Sequence, residues 1–111
     1  MRNALFAAVT ALALVGTVPD TSAASSRCWV GRDLHCRTDA VDANSQWHFV
    51  YVTLSLPSTF YVIDDHNGLT VYTGHSGWWG VRRTIGGVYS YYHLELFGGT
   101  WPGGNGIISN D

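Results

Sequence analysis

Residues 47–56, Trp47-His48-Phe49-Val50-Tyr51-Val52-Thr53-Leu54-Ser55-Leu56, decide the fold. Val50, Val52, Leu54 and Leu56 fall on one side of an extended chain, with Phe49, Tyr51, Thr53 and Ser55 on the other. Successive side chains of a strand point to opposite faces, so this period-two alternation describes a strand with one buried face. Its β-branched and aromatic residues suit a strand, and the Glu, Lys and Ala of a stable helix are missing. Pro57 has no N–H to give to a sheet and ends the run.

The same reasoning extends in both directions. Phe60–Asp64 and Leu69–Thr73 flank Asp65-His66-Asn67-Gly68, and Asn-Gly is the pair that most readily takes the positive φ angles of a hairpin turn. Val81–Ile85 and Val88–Phe97 flank Gly86-Gly87, which reads as a second hairpin. In the last of these runs Ser90, Tyr92, Leu94 and Leu96 alternate with Tyr91, His93, Glu95 and Phe97. Gly98 to Asn105 reads as a Gly-rich loop, and Ile107-Ile108 as a short closing strand. A lone sheet this apolar would expose one face to water. The expectation is an all-β domain, a small β-sandwich or open barrel of five to seven antiparallel strands joined by hairpins.

Met1–Ala24 reads as a secretory signal peptide. Arg2 supplies the positive start, Ala4–Val15 is an apolar run broken only by Thr10, and small residues follow at Thr21, Ser22, Ala23 and Ala24. Thr21 with Ala23, or Ser22 with Ala24, would fill the two small-residue pockets of a signal peptidase. The apolar run is shorter than the roughly 20 residues needed to cross a bilayer. Residues 25–111 then form a single exported domain, with no membrane attachment after cleavage. Export to an oxidising compartment pairs the two cysteines, Cys28 and Cys36, as a disulfide closing a short loop. A zinc site would need a second Cys or His pair at metal spacing, and none is present.

Over the full chain of 111 residues, 46% are apolar and 13% charged, and the formal charge is −2. All six basic residues are Arg, and a surface built to track nucleic-acid phosphates is excluded on that composition. Local motifs of catalysis also fail. Asp64-Asp65-His66-Asn67-Gly68 would need a ligand where Ile63 stands to be an EF-hand loop, so it reads as a turn. Gly74-His75-Ser76-Gly77 lacks the final Gly of a nucleophile elbow, because Trp78 stands there. His35, His48, His66, His75 and His93 show no pairing at metal spacing. Glu95, the single Glu, could form a glycosidase dyad only with Asp64 or Asp65, and a domain this small rarely holds the necessary cleft. No catalytic residue, metal or cofactor is expected.

Aromatic residues are the anomaly. Trp29, Trp47, Trp78, Trp79 and Trp101 stand in a very small domain beside six Tyr. A core of this size absorbs two or three Trp, since each buries roughly 150–250 Å² and needs a partner for its N–H. The others should be exposed, and Trp78-Trp79 is the first candidate, because neighbours on an extended chain cannot both enter one core. With Arg82 and Arg83 just beyond, this segment carries the residue types enriched at binding hot spots. The plainer reading is one Trp capping the core and an Arg pair guarding a sheet edge against aggregation.

With its signal peptide, its lack of Lys and the stretch Arg83-Thr84-Ile85-Gly86-Gly87-Val88-Tyr89-Ser90-Tyr91-Tyr92-His93-Leu94, the chain resembles small secreted actinobacterial β-sandwich proteins of uncharacterised function. That resemblance implies an extracellular sandwich and no activity. As a class it is also similar to the secreted α-amylase inhibitors of the tendamistat family, which are small, all-β and disulfide-stapled and insert a Trp-Arg-Tyr triad into the enzyme cleft. It departs from them in having one disulfide and no contiguous Trp-Arg-Tyr. The expected function is a secreted, monomeric, non-enzymatic binder of an extracellular macromolecule, protein or polysaccharide, most concretely a hydrolase inhibitor, acting through Trp78, Trp79, Arg82 and Arg83. A glycan- or cell-wall-binding module and a structural surface protein are the alternatives.

Overall fold

The computed structural model describes residues 24–111, and the signal-peptide segment lies outside the described residues apart from Ala24. Nine strands follow in order: β1 Ser25–Trp29, β2 His35–Arg37, β3 Val41–Asp42, β4 Phe49–Ser55, β5 Ser58–Asp64, β6 Thr70–Ser76, β7 Val81–Gly86, β8 Tyr91–Phe97 and β9 Asn105–Ser109. No helix occurs among the described residues. One sheet has the order β1-β9-β4-β7, and the other β2-β8-β5-β6, with β3 also pairing with β8. All the pairings are antiparallel. The all-β, two-sheet expectation holds. The strands beyond the expected five to seven are the N-terminal pieces β1 to β3: β2 and β3 are only three and two residues long, and β1 (Ser-Ser-Arg-Cys-Trp) carries no apolar alternation.

The alternation in the sequence translates directly into a core. Val50, Val52 and Leu54 of β4 and Ile108 of β9 face Phe60 and Val62 of β5 and Tyr92, Leu94 and Leu96 of β8, and all are buried. Each such side chain contributes roughly 1.5–3 kcal/mol by leaving water. The approach of the two sheets is close enough to demand glycine at one position. A Cβ on Gly106 of β9 would sit 2.9 Å from Leu94 Cδ2 and 3.0 Å from Leu96 Cδ1. Leu56 does not continue the β4 face as its spacing suggests. The strand stops at Ser55, and Leu56 takes a φ of 68° and is half-buried as the chain crosses over.

Connectivity differs from the expected chain of hairpins. Only β5 and β6 form a hairpin between consecutive strands, around Asn67-Gly68, and there Gly68 alone has positive φ. β7 and β8 lie in different sheets, so Gly86-Gly87 carries the chain across the sandwich and is not a hairpin turn. A Gly-Gly pair supplies the sharp bend in either case. Which strand receives the chain afterwards depends on long-range pairing that no local residue encodes. β4 to β5, β6 to β7 and β8 to β9 likewise cross between sheets.

Cys28 and Cys36 are bonded, with their Cα atoms 5.8 Å apart. The link does more than close a short loop, because β1 and β2 belong to different sheets and both cysteines are buried in the core. It staples the two sheets at one side. At the termini, Ala24 N–H donates to Asn110 Oδ1 at 2.7 Å, and Asn110 N–H donates back to Ala24 O at 3.0 Å. The paired Cys28→Ala/Cys36→Ala substitution is expected to lower stability by about 2.6 kcal/mol on loop-closure entropy. The sandwich should still fold at room temperature, because the β4–β9 and β5–β8 pairings do not pass through the bridge. Complete loss of the near-UV circular dichroism signal in that variant would show that the staple is indispensable.

Candidate functional site

None of the five Trp is buried, contrary to the expectation of two or three in the core. The least exposed, Trp101, keeps 45% of its surface in water. The core is built from Val, Leu and Ile with Phe60, Tyr92 and the two cysteines.

The register collects four of the five at one end of the sandwich. Trp29 pairs with Asn105, and Asn105 with Ser55 at the end of β4. Leu54, next to Ser55, pairs with Val81, where the chain enters β7 from the Trp78-Trp79 turn. Trp101 lies in the β8–β9 connection above the same row. Trp47 stands at the opposite end, just before β4.

Trp78 and Trp79 are the two central residues of a tight turn. Gly80 N–H donates to Gly77 O at 3.0 Å, and these glycines form an isolated bridge. Gly80 has a φ of 77°, and a Cβ there would collide with the Leu54 carbonyl, so the turn can close only on glycine. Trp79 is 99% exposed and Trp78 72%. The segment is therefore a clamped turn. An open groove of about 580 Å³ beside it is lined by Thr53, Ser55, Leu56, Trp78, Trp79 and Arg82, among others.

Arg82 and Arg83 are separated by the pleat. Arg82 pairs with Thr53 on the outer face and lines that groove. Arg83 pairs with Val52, on the core-facing side, and at the open edge of the sandwich its Nε donates to Tyr72 Oη at 3.2 Å. Arg83 thus covers an edge, as the plainer reading of the sequence holds, and the geometry keeps it away from the Trp78-Trp79 groove. Two further Arg residues support the exposed indoles. The Arg27 guanidinium lies 5.5 Å from the Trp29 ring centre and that of Arg32 lies 4.9 Å from Trp101. No strand of this sheet contains a carboxylate, whereas Arg27, Arg82 and Arg83 all belong to it.

The other sheet carries the acids and a charged cluster. His93 occupies an outward position on β8 yet is only 3% exposed. Its Nδ1 bonds to Asp65 and its Nε2 to Glu95 Oε2 at 2.7 Å. His35 Nε2 lies 3.5 Å from Glu95, and Arg37 Nη1 4.0 Å. The sequence named Asp64 or Asp65 as the partner Glu95 would need, and β5–β8 pairing brings Asp65 to it; what escaped the sequence is His93 standing between the two. The arrangement does not make a glycosidase dyad, for the His93 imidazole fills the gap in which water and sugar would stand. Nor does it offer a general base, since both ring nitrogens are engaged by carboxylates. Among the described residues no group of His, Cys, Asp and Glu has the arrangement of a metal site.

A second groove, of about 1040 Å³, opens at the end of the sandwich remote from Trp78-Trp79. Its walls include His48, His66, Tyr89 and Tyr91, with Asp64 among its lining. The sequence did contain one sign of it. Ser58, Phe60, Val62 and Asp64 alternate inward, so a carboxylate occupies a core-facing position.

Compared with known protein families, curated proteins and solved structures, the chain has no match. No helix among the described residues is long and apolar enough to cross a membrane.

Burial pushes the Glu95 carboxyl up, but hydrogen bonds from His93 and His35 and the positive field of His93 and Arg37 outweigh it, holding its pKa below the usual 4.5. A carboxyl depressed by folding adds stability above pH 4.5 and loses it as the pH falls through the folded value. The stability advantage of the wild type over Glu95→Gln is therefore expected to be full near neutrality and to shrink in acid. Urea unfolding of both proteins from about pH 7 down to about pH 3 measures this. A constant difference across that range would mean that the cluster does not hold Glu95 ionised.

Proposed function

We propose that the protein is an exported, non-enzymatic binding protein that engages an extracellular macromolecule through the Trp78-Trp79 turn and Arg82. The observation that carries this reading is the exposure of two adjacent indoles on a turn clamped by Gly77 and Gly80. Keeping two large apolar rings in water is unfavourable, and a rigid turn loses little entropy when a partner buries them. Trp and Arg are also the residues that most often dominate interface energetics. The disulfide suits an oxidising compartment outside the cytoplasm.

A single projecting turn is the shape that enters a cleft, which makes a secreted hydrolase the concrete target. The resemblance to the tendamistat class points the same way. One arrangement favours a glycan instead: Trp29, Asn105 and Ser55 line up beside the turn on the outer face, and Asn105 Nδ2 donates to Ser55 Oγ at 2.8 Å. Polar groups set between aromatic rings suit sugar hydroxyls. Elsewhere the aromatics are poorly placed for sugar rings, since Tyr61 and Phe97 on the other sheet meet edge to face at 73°.

Immobilised protein would be presented with secreted amylases and proteases, and in parallel with insoluble chitin, cellulose and peptidoglycan. Trp79→Ala is expected to weaken capture of the target by about thirtyfold, the effect of losing an interface anchor worth about 2 kcal/mol. Its melting temperature should not change, because the side chain touches almost nothing. Arg82→Ala should weaken capture as well, whereas Arg83→Ala should leave it intact. Retention by polysaccharide alone would transfer the surface to a glycan. Unaltered capture by Trp79→Ala would remove the turn from the interface.

A further inference from the structure

The groove remote from the Trp turn has a chemistry of its own. It opens between the two sheets where β5 ends, bounded by the β3–β4, β5–β6 and β7–β8 connections. Asp64 extends the core-facing series of β5, is 8% exposed and lines this space. Its Oδ1 accepts the His66 N–H at 2.8 Å, and among the described residues its other oxygen has no hydrogen-bond partner. A buried carboxylate satisfied at one oxygen is unfavourable unless a donor or a positive charge completes it. Asp42 lines the same groove, and neither Arg nor Lys does.

The walls are aromatic and held in place. Tyr89 stacks on His48 with ring centres 4.3 Å apart and planes 32° from parallel. Tyr91 meets His66 at 6.5 Å, nearly edge-on. The buried Tyr92 hydroxyl accepts the N–H groups of Tyr89 and Ser90 at 3.1 and 3.2 Å, which fixes the loop that carries Tyr89. His48 itself adopts a φ of 54°, a conformation unfavourable for a residue with a side chain. Strain of this kind persists only where surrounding structure enforces it, and it concentrates at binding sites.

We propose that this groove binds an organic cation, an ammonium or guanidinium group, seated against the face of Tyr89 and paired with Asp64. Aromatic faces are negative and attract such cations, and the nearly buried Asp64 carboxylate in the lining supplies the counter-charge. The cation can arrive as a free small molecule or as the Lys or Arg side chain of a peptide. The recognition chemistry is the same for both. This site is independent of the Trp turn and requires nothing of the reading given for it.

The test titrates the ¹⁵N-labelled domain, residues 24–111, with tetramethylammonium chloride and, separately, with an oligo-arginine peptide. Sodium chloride at equal ionic strength is the reference. Saturable shifts of the Gly86, Gly87, Tyr89 and Tyr91 amides are expected with at least one of the two cations. Response to tetramethylammonium identifies a small-molecule site, and response to the peptide alone identifies a peptide-reading one. Tyr89→Ala, an exposed position that folding does not need, should weaken binding about threefold. Asp64→Asn, which can still accept the His66 N–H, should weaken it about tenfold or more. Trp79→Ala should leave it unchanged. Absence of saturable shifts with both cations, or equal affinity in wild type, Tyr89→Ala and Asp64→Asn, would overturn the proposal.

Discussion

The distance between two packed sheets, about 10 Å, is the constraint on which the rest of this molecule depends. Val50, Val52, Leu54 and Ile108 on one side and Phe60, Val62, Leu94 and Leu96 on the other pack into that gap. Gly106 shows how little slack remains, since even one methyl group would press on Leu94 and Leu96. Small and medium aliphatic side chains interdigitate at this spacing, and an indole would force the layers apart. All five tryptophans are consequently outside. The aromatic richness of the chain is a property of its surface, produced by the economy of its core.

Charge follows the same layering. The β1-β9-β4-β7 sheet contains Arg and no carboxylate in its strands, and Asp42, Asp64 and Glu95 all lie in strands of the other sheet. The molecule presents a tryptophan-bearing end with Arg82 and, at the opposite end, a tyrosine-bearing groove with Asp42 and Asp64. Partners of opposite charge would approach different regions. The His93 cluster between Asp65 and Glu95 shows how the acidic sheet holds its outer face together, with a buried imidazole linking the β5–β6 loop to β8.

The disulfide completes this picture. A domain of this size buries a modest fraction of its chain, so one inter-sheet staple has a large relative effect on its margin. Cys28 and Cys36 lie on β1 and β2, short N-terminal strands that pair with β9 and β8. β1 pairs with β9 over five residues and β2 with β8 over only three, so β2 gains most from the tether. With it, they close one side of the core.

The sequence alone determined what local chemistry can express. Period-two alternation marked the inward faces of β4 and β8, Asn67-Gly68 marked a turn, Pro57 marked the end of β4, and two cysteines in an otherwise export-like chain marked a bridge. The sequence showed that Trp78 and Trp79 could not both be buried on one side, and the structure decided that neither is. Tertiary structure decided everything that depends on which strands meet. Gly86-Gly87 bends the chain equally well within a sheet or across the sandwich, and only the pairing of β7 with β4 and of β8 with β5 selects the crossing. Arg82 and Arg83 look alike in sequence, yet the register sends one to the Trp groove and the other to Tyr72. The meeting of Asp65, His93 and Glu95, and the seating of Asp64 in the end groove, arise from contacts between residues far apart in the chain. Such contacts leave no local periodicity, because the energy that fixes them comes from the packed whole.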